Sequence, residues 1–484
     1  MKKSLIWYIL VIGVFASLSW FVIDKGAVLS PKNKTSFNTV TPDVKTLEKT
    51  KPVVISEKVS VLTQFINNIK SPLSLLLLQI IVVLIASRVF GMLAVKIGQP
   101  SVVGEIFAGI FLGPSIIGMY FPEFSSFLFP KDSLKALQFL SQIGLAFFMF
   151  IIGMELDISK LKNKTHDAVV VSHASIIFPY FLGVLISYFI YESFAPAGVS
   201  FLSFSLFMGI AMSITAFPVL ARIIQERGLT KTPLGVMAIT CAAADDVTAW
   251  CILAAVIAVV KAGSMVSSLF TIVLALLFVM GMLYAIKPAI RKFSLNFISK
   301  EKLDKTLVAV SFFIMLLSAY FAEIIGIHAL FGAFLAGVIM PQNVKFKEQL
   351  TEKIEDISVM LLLPIFFAFT GLRTQIGLLN ESHLWLTCIL IIAVAVMGKF
   401  LGSALSAKMV GQTWKNSLSI GALMNTRGLM ELIVLNIGYD LGILSPEIFA
   451  ILVLMALSTT FMTGPALNLI NKIFKEKEAL PNLL

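Results

Sequence analysis

Long apolar runs follow one another through most of this chain, and each comes close to the length of a membrane crossing. A helix needs about 20 mainly apolar residues to span the hydrocarbon core, and about thirteen such segments follow residue 71. Their approximate limits are 72–97, 101–120, 134–156, 167–191, 199–224, 233–260, 265–287, 305–325, 327–341, 354–372, 383–410, 414–438 and 445–472. The runs are continuously apolar rather than alternating, which excludes a transmembrane β-barrel. The sequence therefore predicts an all-α polytopic membrane protein.

The composition supports this fold class. Hydrophobic residues make up 58% of the 484 residues and charged residues 13%, whereas a soluble domain would carry about 25% charged residues. The net charge is +11, but most Lys and Arg lie in short loops, where they determine topology and do not indicate a nucleic-acid partner. The cysteines and histidines are scattered, so we expect no metal cluster and no cofactor. Because alternate loops are basic, we expect the C-terminus on the cytoplasmic side of the inner (plasma) membrane.

Four regions follow from these patterns. Residues 1–23 are predicted to be an N-terminal signal anchor or signal peptide, since a basic start precedes an apolar stretch. Residues 24–71 are polar and lack periodicity, which is typical of an extracytoplasmic linker. Residues 72–472 form the transmembrane domain, and residues 473–484 form a short cytoplasmic tail.

Two adjacent carboxylates lie near the middle of one apolar run. Asp245 and Asp246 fall inside the run from about Pro233 to Val260, where a charged side chain costs at least ~2.5 kcal/mol. Two neighbouring acids also repel each other. Alanine or leucine would avoid that cost, so the pair indicates a site that holds a proton or a cation inside the membrane. The alternative is a pair of charges that only fixes helix packing.

Weak matches in a shared order indicate an internal repeat. The matching stretches are 105–111 with 333–339, 148–154 with 366–372, and 181–183 with 400–402. They lie in the second and ninth, third and tenth, and fourth and eleventh segments. An offset of seven segments is odd, so the second copy must enter the membrane from the opposite side. The chain is thus predicted to contain two inverted repeats, an architecture of many secondary transporters.

Helix-breaking residues interrupt the fifth and twelfth segments, which the repeat makes equivalent. The fifth contains Pro218 and the twelfth a polar cluster around Gly428. Pro218 by itself is equally compatible with an ordinary helix kink and with a functional break in the helix. Broken helices at equivalent points of two repeats, however, are typical of an ion site at the membrane midplane. The residues expected to line that site are Ser213, Thr215, Asn425 and Thr426.

These stretches resemble the monovalent cation:proton antiporter-2 family, which includes sodium/proton antiporters, potassium efflux systems and plant cation/proton exchangers. The resemblance covers residues 72–472, and the stretches that carry it are 109–114, 150–157, 244–246 and 424–438. It implies a cation/proton exchanger domain in which two broken helices cross beside the acidic pair. It also implies a mobile core domain and a homodimer in the lipid bilayer.

The resemblance further implies roles for single residues. Asp246 would bind the monovalent cation, and Asp245 would pair with Lys399, which lies mid-span in the eleventh segment. Arg427 resembles an arginine of related exchangers, and Glu431, one turn later, is its predicted partner in a structural ion pair. Potassium efflux systems and plant exchangers of this family usually replace the first acid by Gln or Asn. The presence of both acids here therefore favours sodium and exchange of two protons per cation.

We expect a secondary antiporter and not an enzyme. A proton and a cation would compete for one carboxylate, and alternating access would expose it to either side. Sodium is the favoured cation, potassium and lithium are possible ones, and a potassium/proton antiporter or efflux system is the alternative function. A cation channel would require a ring of equivalent acids. An intramembrane aspartyl protease would require two acids from different helices, whereas adjacent residues diverge by about 100° around one helix.

Overall fold

Helices are the only regular secondary structure in the computed structural model over the residues that it describes. These are 2–26, 68–69, 71–130, 132–155, 165–229, 232–262, 265–295, 305–341 and 343–479. The principal helices of the first half are α1 (Lys2–Gly26), α2 (Pro72–Lys96), α3 (Ser101–Leu112), α4 (Leu134–Glu155), α5 (Thr165–Phe194), α6 (Phe201–Ser213), α7 (Phe217–Glu226), α8 (Pro233–Ala262), α9 (Met265–Gly281) and α10 (Lys287–Leu295). Those of the second half are α11 (Lys305–Ile325), α12 (Ala329–Val338), α13 (Val344–Ile357), α14 (Leu363–Arg373), α15 (Ser382–Val396), α16 (Gly402–Met409), α17 (Trp414–Met424), α18 (Leu429–Asp440) and α19 (Pro446–Ala479). The all-α prediction is confirmed.

Helix length and hydropathy agree with a polytopic membrane protein. Each predicted apolar segment contains a helix. Within the described part of the chain, 10 helices are long and apolar enough to cross a membrane, or up to 11 if the bent pair α17 and α18 counts as one span. Helices α6 and α12 are apolar but shorter. The polytopic class is therefore confirmed, while the number of thirteen spans stays a prediction.

The two ends of the chain contain helices beyond the predicted transmembrane domain. Helix α1 packs against α5, where the Phe15 ring lies edge-on to Phe178 at 5.6 Å and to Phe181 at 5.5 Å. Most of the predicted linker, residues 27–67, lies outside the described residues. At the other end α19 continues to Ala479 and so includes the first part of the predicted tail.

The transmembrane helices form two groups, and each group takes members from both halves of the chain. The first helix group consists of α2, α3, α4, α11, α12 and α14, in which α3 packs on α2 and α14, and α12 packs on α4 and α11. The second helix group consists of α5 to α8 and α15 to α19, in which α5 packs on α6, α8 and α16, and α17 packs on α16 and α19. Each group thus contains equivalent segments of both predicted repeats.

Two close glycine contacts hold the first helix group together. A methyl group on Gly109 of α3 would lie 2.0 Å from the carbonyl oxygen of Ala368 in α14. A methyl group on Gly337 of α12 would lie 2.1 Å from the carbonyl oxygen of Phe150 in α4. Both positions therefore require glycine, which lacks a side chain. The two glycines occupy the same place in the repeat matches, so these contacts support the inverted repeat, which itself stays a prediction.

Candidate functional site

Two interrupted helices cross inside the second helix group. The first consists of α6 and α7, separated by residues 214–216, with a proline in the first turn of α7. The second consists of α17 and α18, separated by residues 425–428 and bent by 40°. Gly428 has a φ of 149°, a conformation that other residues rarely adopt. The backbone N–H of Ala216 donates to the carbonyl of Thr426 at 3.0 Å. The two interruptions therefore touch, as the family resemblance implies.

Asp245, in the middle of α8, forms a buried ion pair with Lys399. Lys399 Nζ lies 2.8 Å from Asp245 Oδ2, and both side chains are fully buried. Lys399 belongs to a short π-helical turn, Met397–Leu401, between α15 and α16. Its ammonium also donates to the carbonyl oxygens of Ser175, at 3.0 Å, and of Ser213. Three acceptors match the three N–H donors of the ammonium, so this buried charge is fully hydrogen-bonded.

Three hydroxyl groups complete the surroundings of Asp245. Ser172 of α5 donates to Asp245 Oδ1 at 2.8 Å, and Ser175 donates to the same oxygen at 2.9 Å. Thr215, in the first interruption, donates to Oδ2 at 2.6 Å. Thr215 was expected at the site, whereas the sequence reasoning missed the two serines. The available signal was their spacing of three residues, which places both on one face of α5.

Asp246 is the neighbour of Asp245 but has a different environment. Its side chain is 2% exposed, and among the described residues neither carboxylate oxygen has a hydrogen-bond partner. The backbone N–H of Phe217, at the N-terminal end of α7, lies near enough to interact with this carboxylate but does not reach the geometry of a hydrogen bond, and that end of a helix is electrically positive. A buried carboxylate without a partner is costly. Asp246 is therefore the group at the crossing that is suited to take up a proton or a cation.

Arg427 and Glu431 form a second fully buried ion pair, with Nη1 of the arginine 3.1 Å from Oε1 of the glutamate. Arg427 Nη1 also donates to the carbonyl of Ala211 at 2.8 Å, and its Nη2 donates to the carbonyl of Met212 at 2.6 Å. Both carbonyls belong to the last turn of α6, the electrically negative end of that helix. Arg427 and Lys399 together cap this end. The structural ion pair predicted from the sequence is present, and it also ties one broken helix to the other.

The remaining predicted residues lie at the crossing with different partners. The Ser213 hydroxyl donates to the carbonyl of Ile210 at 3.0 Å, within its own helix. The Thr426 hydroxyl lies 3.2 Å from that of Thr463 in α19. Asn425 is 4% exposed, and its Oδ1 has no hydrogen-bond partner. Of these three side chains, Asn425 therefore has the oxygen that is free to contact a bound ion.

The charges at the crossing balance except at one residue. The pairs Asp245–Lys399 and Arg427–Glu431 are each neutral, and Asp246 adds one negative charge when it is ionised. A single proton or a single monovalent cation would cancel that charge. Groups of three or more His, Cys, Asp or Glu side chains that could hold a metal ion are not found in the described part of the chain.

The sequence matches a known family over most of its length. The family described as "Sodium/hydrogen exchanger, transmembrane" matches residues 62–472. A relative from Synechocystis, the Na(+)/H(+) antiporter NhaS4, is 42% identical over 394 residues. The matched region covers 81% of this chain and 96% of that relative.

Two other relatives are longer proteins. Cation/H(+) antiporter 17 of Arabidopsis thaliana is 40% identical over 415 residues, which cover 86% of this chain and 50% of the relative. K(+)/H(+) antiporter 1 of Saccharomyces cerevisiae is 32% identical over 414 residues, which cover 84% of this chain and 47% of the relative. The chain thus spans about half the length of these two relatives.

The fold is similar to that of a solved structure, the sodium proton antiporter MjNhaP1 from Methanocaldococcus jannaschii at pH 8. The TM-score is 0.63, the sequence identity is 14%, and the match covers 83% of this chain and 99% of that one. This likeness concerns the fold alone.

Proposed function

The chain belongs to the sodium/hydrogen exchanger family, and we propose that Asp246 is the residue at which it exchanges a monovalent cation for a proton. The chain is a multi-pass membrane antiporter, since its relatives are named for antiport of protons against sodium or potassium. The observation that carries the assignment to Asp246 is its buried carboxylate without a hydrogen-bond partner, next to the crossed broken helices. We propose that this function involves no enzymatic reaction.

Competition at one carboxylate would couple the two fluxes. A proton and a cation both neutralise Asp246, and the binding of one excludes the other. The empty, ionised site would leave one uncompensated charge among buried side chains, and a charge buried without a partner costs several kcal/mol. Movement of the site across the membrane is therefore favoured when it is loaded with either ion. This preference makes the protein an exchanger and not a uniporter.

The Asp245–Lys399 pair supports the site in two ways. It supplies a neutral, fully hydrogen-bonded neighbour, and Lys399 holds the carbonyl end of α6 through Ser213. If a second proton is transported per cation, as the resemblance to two-proton exchangers implies, this pair is the group next to Asp246 that would release it. Asn425, with its free Oδ1, is proposed as a ligand of the bound cation.

We propose sodium as the first cation to test, with potassium and lithium as alternatives. The argument is the presence of both Asp245 and Asp246, where related potassium efflux systems usually keep one acid. The names of the relatives include both sodium and potassium antiporters, so an assay must compare the ions directly.

Alternating access would arise from movement between the two helix groups. We further propose that the C-terminus is cytoplasmic, that the membrane is the inner (plasma) membrane, and that the protein acts as a homodimer. The support is the basic alternate loops and the family resemblance. Two spans present their apolar surface outwards, with 22% of the Pro72–Lys96 window and 6% of the Leu269–Lys292 window buried. Such surfaces suit contact with lipid or with a second subunit.

Purified protein in proteoliposomes tests the proposal. Vesicles with an acidic lumen and an entrapped pH-sensitive dye receive sodium, lithium or potassium on the outside, and dye recovery reports proton efflux. Asp246→Asn keeps the shape of the side chain and removes its charge, so we expect cation-dependent proton movement to disappear. Glu123→Gln, which neutralises an exposed acid in the short helix Pro122–Leu128, is the matched control and should behave as the wild type. Retained exchange in purified Asp246→Asn protein would contradict the site.

A further inference from the structure

Polar side chains join the two helix groups at one end of the bundle. Arg373 is the last residue of α14, in the first group, and Asp440 is the last residue of α18, in the second. Arg373 Nη1 lies 2.7 Å from Asp440 Oδ1. Gln138 Nε2, from α4, donates to Asp440 Oδ2 at 3.1 Å. Both carboxylate oxygens of Asp440 therefore bind the first helix group.

Further contacts hold the Arg373 guanidinium between the groups. Its Nη1 also donates to Asn436 Oδ1 at 3.3 Å, one turn before the end of α18, and Asn436 Nδ2 donates to Thr370 Oγ1 at 2.8 Å. The guanidinium carbon lies 4.4 Å from the ring centre of Phe369, in its own helix, and 5.4 Å from that of Tyr439, in the second group. Both distances suit cation–π attraction. The arginine thus binds three side chains of the other group.

The Arg373–Asp440 ion pair is better shielded from water than a second ion pair between the groups, Lys261–Glu323. The side chains of Arg373 and Asp440 are 17% and 29% exposed, and they line a cavity together with Leu145 of α4. Lys261, at the end of α8, lies 3.8 Å from Glu323 of α11, with exposures of 34% and 52%. A looser and more exposed pair contributes less. The Arg373–Asp440 contact is therefore the stronger of these two ionic connections between the groups.

At the opposite end of the interface between the two helix groups, the first group lines a small cavity with apolar side chains. Pro100, which precedes α3 in the first group, faces Gly428 of the second interruption across a small cavity. This is the end away from Arg373. The hydroxyl of Ser115, beyond the C-terminal end of α3, donates to the carbonyl of Thr374 at 2.8 Å, so the start of α3 lies at the other end. The first group lines this cavity with Pro, Val and Ile side chains, and these apolar side chains form no ion pair of their own with the second group.

We infer that Arg373 and Asp440 are positioning residues of the exchange and form a latch between the two helix groups. While the latch is closed, the groups are held together at the Arg373 end, and the crossing opens towards the Pro100 end, where a small cavity reaches Arg427 and Gly428. The latch opens when the groups move to expose the site to the other side. Neither residue contacts the transported ion, and both act through the relative stability of the two arrangements. The inference rests on the proposed function, since it assigns the pair a role in alternating access.

Labelling of a single cysteine measures opening of the latch without transport. Leu145→Cys is introduced beside the pair in protein whose native Cys241, Cys251 and Cys388 are replaced by alanine. Its reaction with a bulky hydrophilic maleimide is followed in detergent. We expect Arg373→Ala to raise the labelling rate about threefold, a change in population within the range that loss of a partly exposed ion pair produces. Lys261→Ala removes a cation from the looser pair and should leave the rate unchanged.

A charge swap distinguishes faster labelling caused by loss of the ion pair from faster labelling caused by local damage to the packing. The double variant Arg373→Asp/Asp440→Arg keeps opposite charges facing each other and should restore slow labelling. An unchanged rate in Arg373→Ala, an equal rise in Lys261→Ala, or fast labelling in the swapped variant would overturn the latch. The labelling assay needs no ion exchange, whereas the Asp246→Asn assay needs no latch. The two assays therefore show separately whether the latch or the assignment of Asp246 is wrong.

Discussion

Lys399 and Asp245 are 154 positions apart in the chain, and their charged atoms lie 2.8 Å from each other. Both side chains are fully buried. A buried charge without its partner costs about 3–5 kcal/mol, so each of these charges depends on the other. The pair also links the repeats, since Asp245 comes from the first predicted copy and Lys399 from the second.

We therefore predict strong coupling between substitutions at these two residues. Lys399→Ala and Asp245→Asn should each lower the free energy of unfolding by about 3–5 kcal/mol. The double variant should lose clearly less than the sum, because no unpaired charge remains. Thermal unfolding of all four proteins in the same detergent gives the coupling energy of the double-mutant cycle. Additive losses would mean that the two charges are independent, and the ion pair would have to be withdrawn.

Ser172 and Ser175 provide the second prediction. They supply both hydrogen bonds to Asp245 Oδ1, while Lys399 and Thr215 bind the other oxygen. A hydrogen bond to a charged group contributes about 1.5–3 kcal/mol. Replacing both serines by alanine should therefore destabilise the protein by a few kcal/mol and slow the exchange, because the carboxylate loses its fixed orientation.

The same helix offers a matched control for the serines. Ser187 of α5 is also fully buried, but its hydroxyl donates to the carbonyl of Gly183 one turn earlier. Ser187→Ala removes the same atom without touching Asp245. Melting temperature and exchange rate in proteoliposomes should stay near the wild-type values in this variant and fall in Ser172→Ala/Ser175→Ala. Equal behaviour of the two variants would show that the serines only fill space.

The charged residues of the site could be recognised in the sequence because they lie where charge is costly. Asp245, Asp246 and Lys399 interrupt apolar runs, and a charge at that depth needs a partner or a function. Arg427 was identified through the family resemblance, and Glu431 as the acid one helical turn later. The two broken helices were also predictable, since helix-breaking residues mark equivalent segments, and their crossing was implied by the family resemblance.

The role of the serines and the latch could not be settled from the sequence, because the spacing of the serines shows a shared helix face but not what that face contacts. Buried serines in transmembrane helices often bond to their own backbone, as Ser187 does, so Ser172 and Ser175 looked ordinary. Arg373 lies at the end of a segment, among the scattered cations of the less basic loops, so its sequence position indicates no partner. Its pairing with Asp440 depends on how two helices meet in space. Sequence spacing also says nothing about rotamers, which turn the hydroxyl of Ser213 away from Asp245 and towards its own helix.

The last prediction concerns the glycines that bring helices of the first group together. A methyl group on Gly109 or Gly337 would overlap a backbone oxygen of the facing helix, and that atom can move only with its helix. Gly281, at the end of α9, has nothing within 4 Å of the same position. Overpacking of a tight contact costs about 1–3 kcal/mol. By contrast, alanine is favoured over glycine in a helix by up to about 1 kcal/mol.

We therefore expect Gly109→Ala and Gly337→Ala to lower the melting temperature in detergent, and Gly281→Ala to leave it unchanged or raise it. Gly109→Ala and Gly337→Ala should also lower the melting temperature by similar amounts. The predicted repeat makes their contacts equivalent, since α3 meets α14 as α12 meets α4. If Gly281→Ala destabilised as much as the other two, general intolerance of glycine substitution would replace the close approach as the explanation. If only one of Gly109→Ala and Gly337→Ala lowered the melting temperature, the stability data would not support the repeat. Its support would then be the sequence matches only.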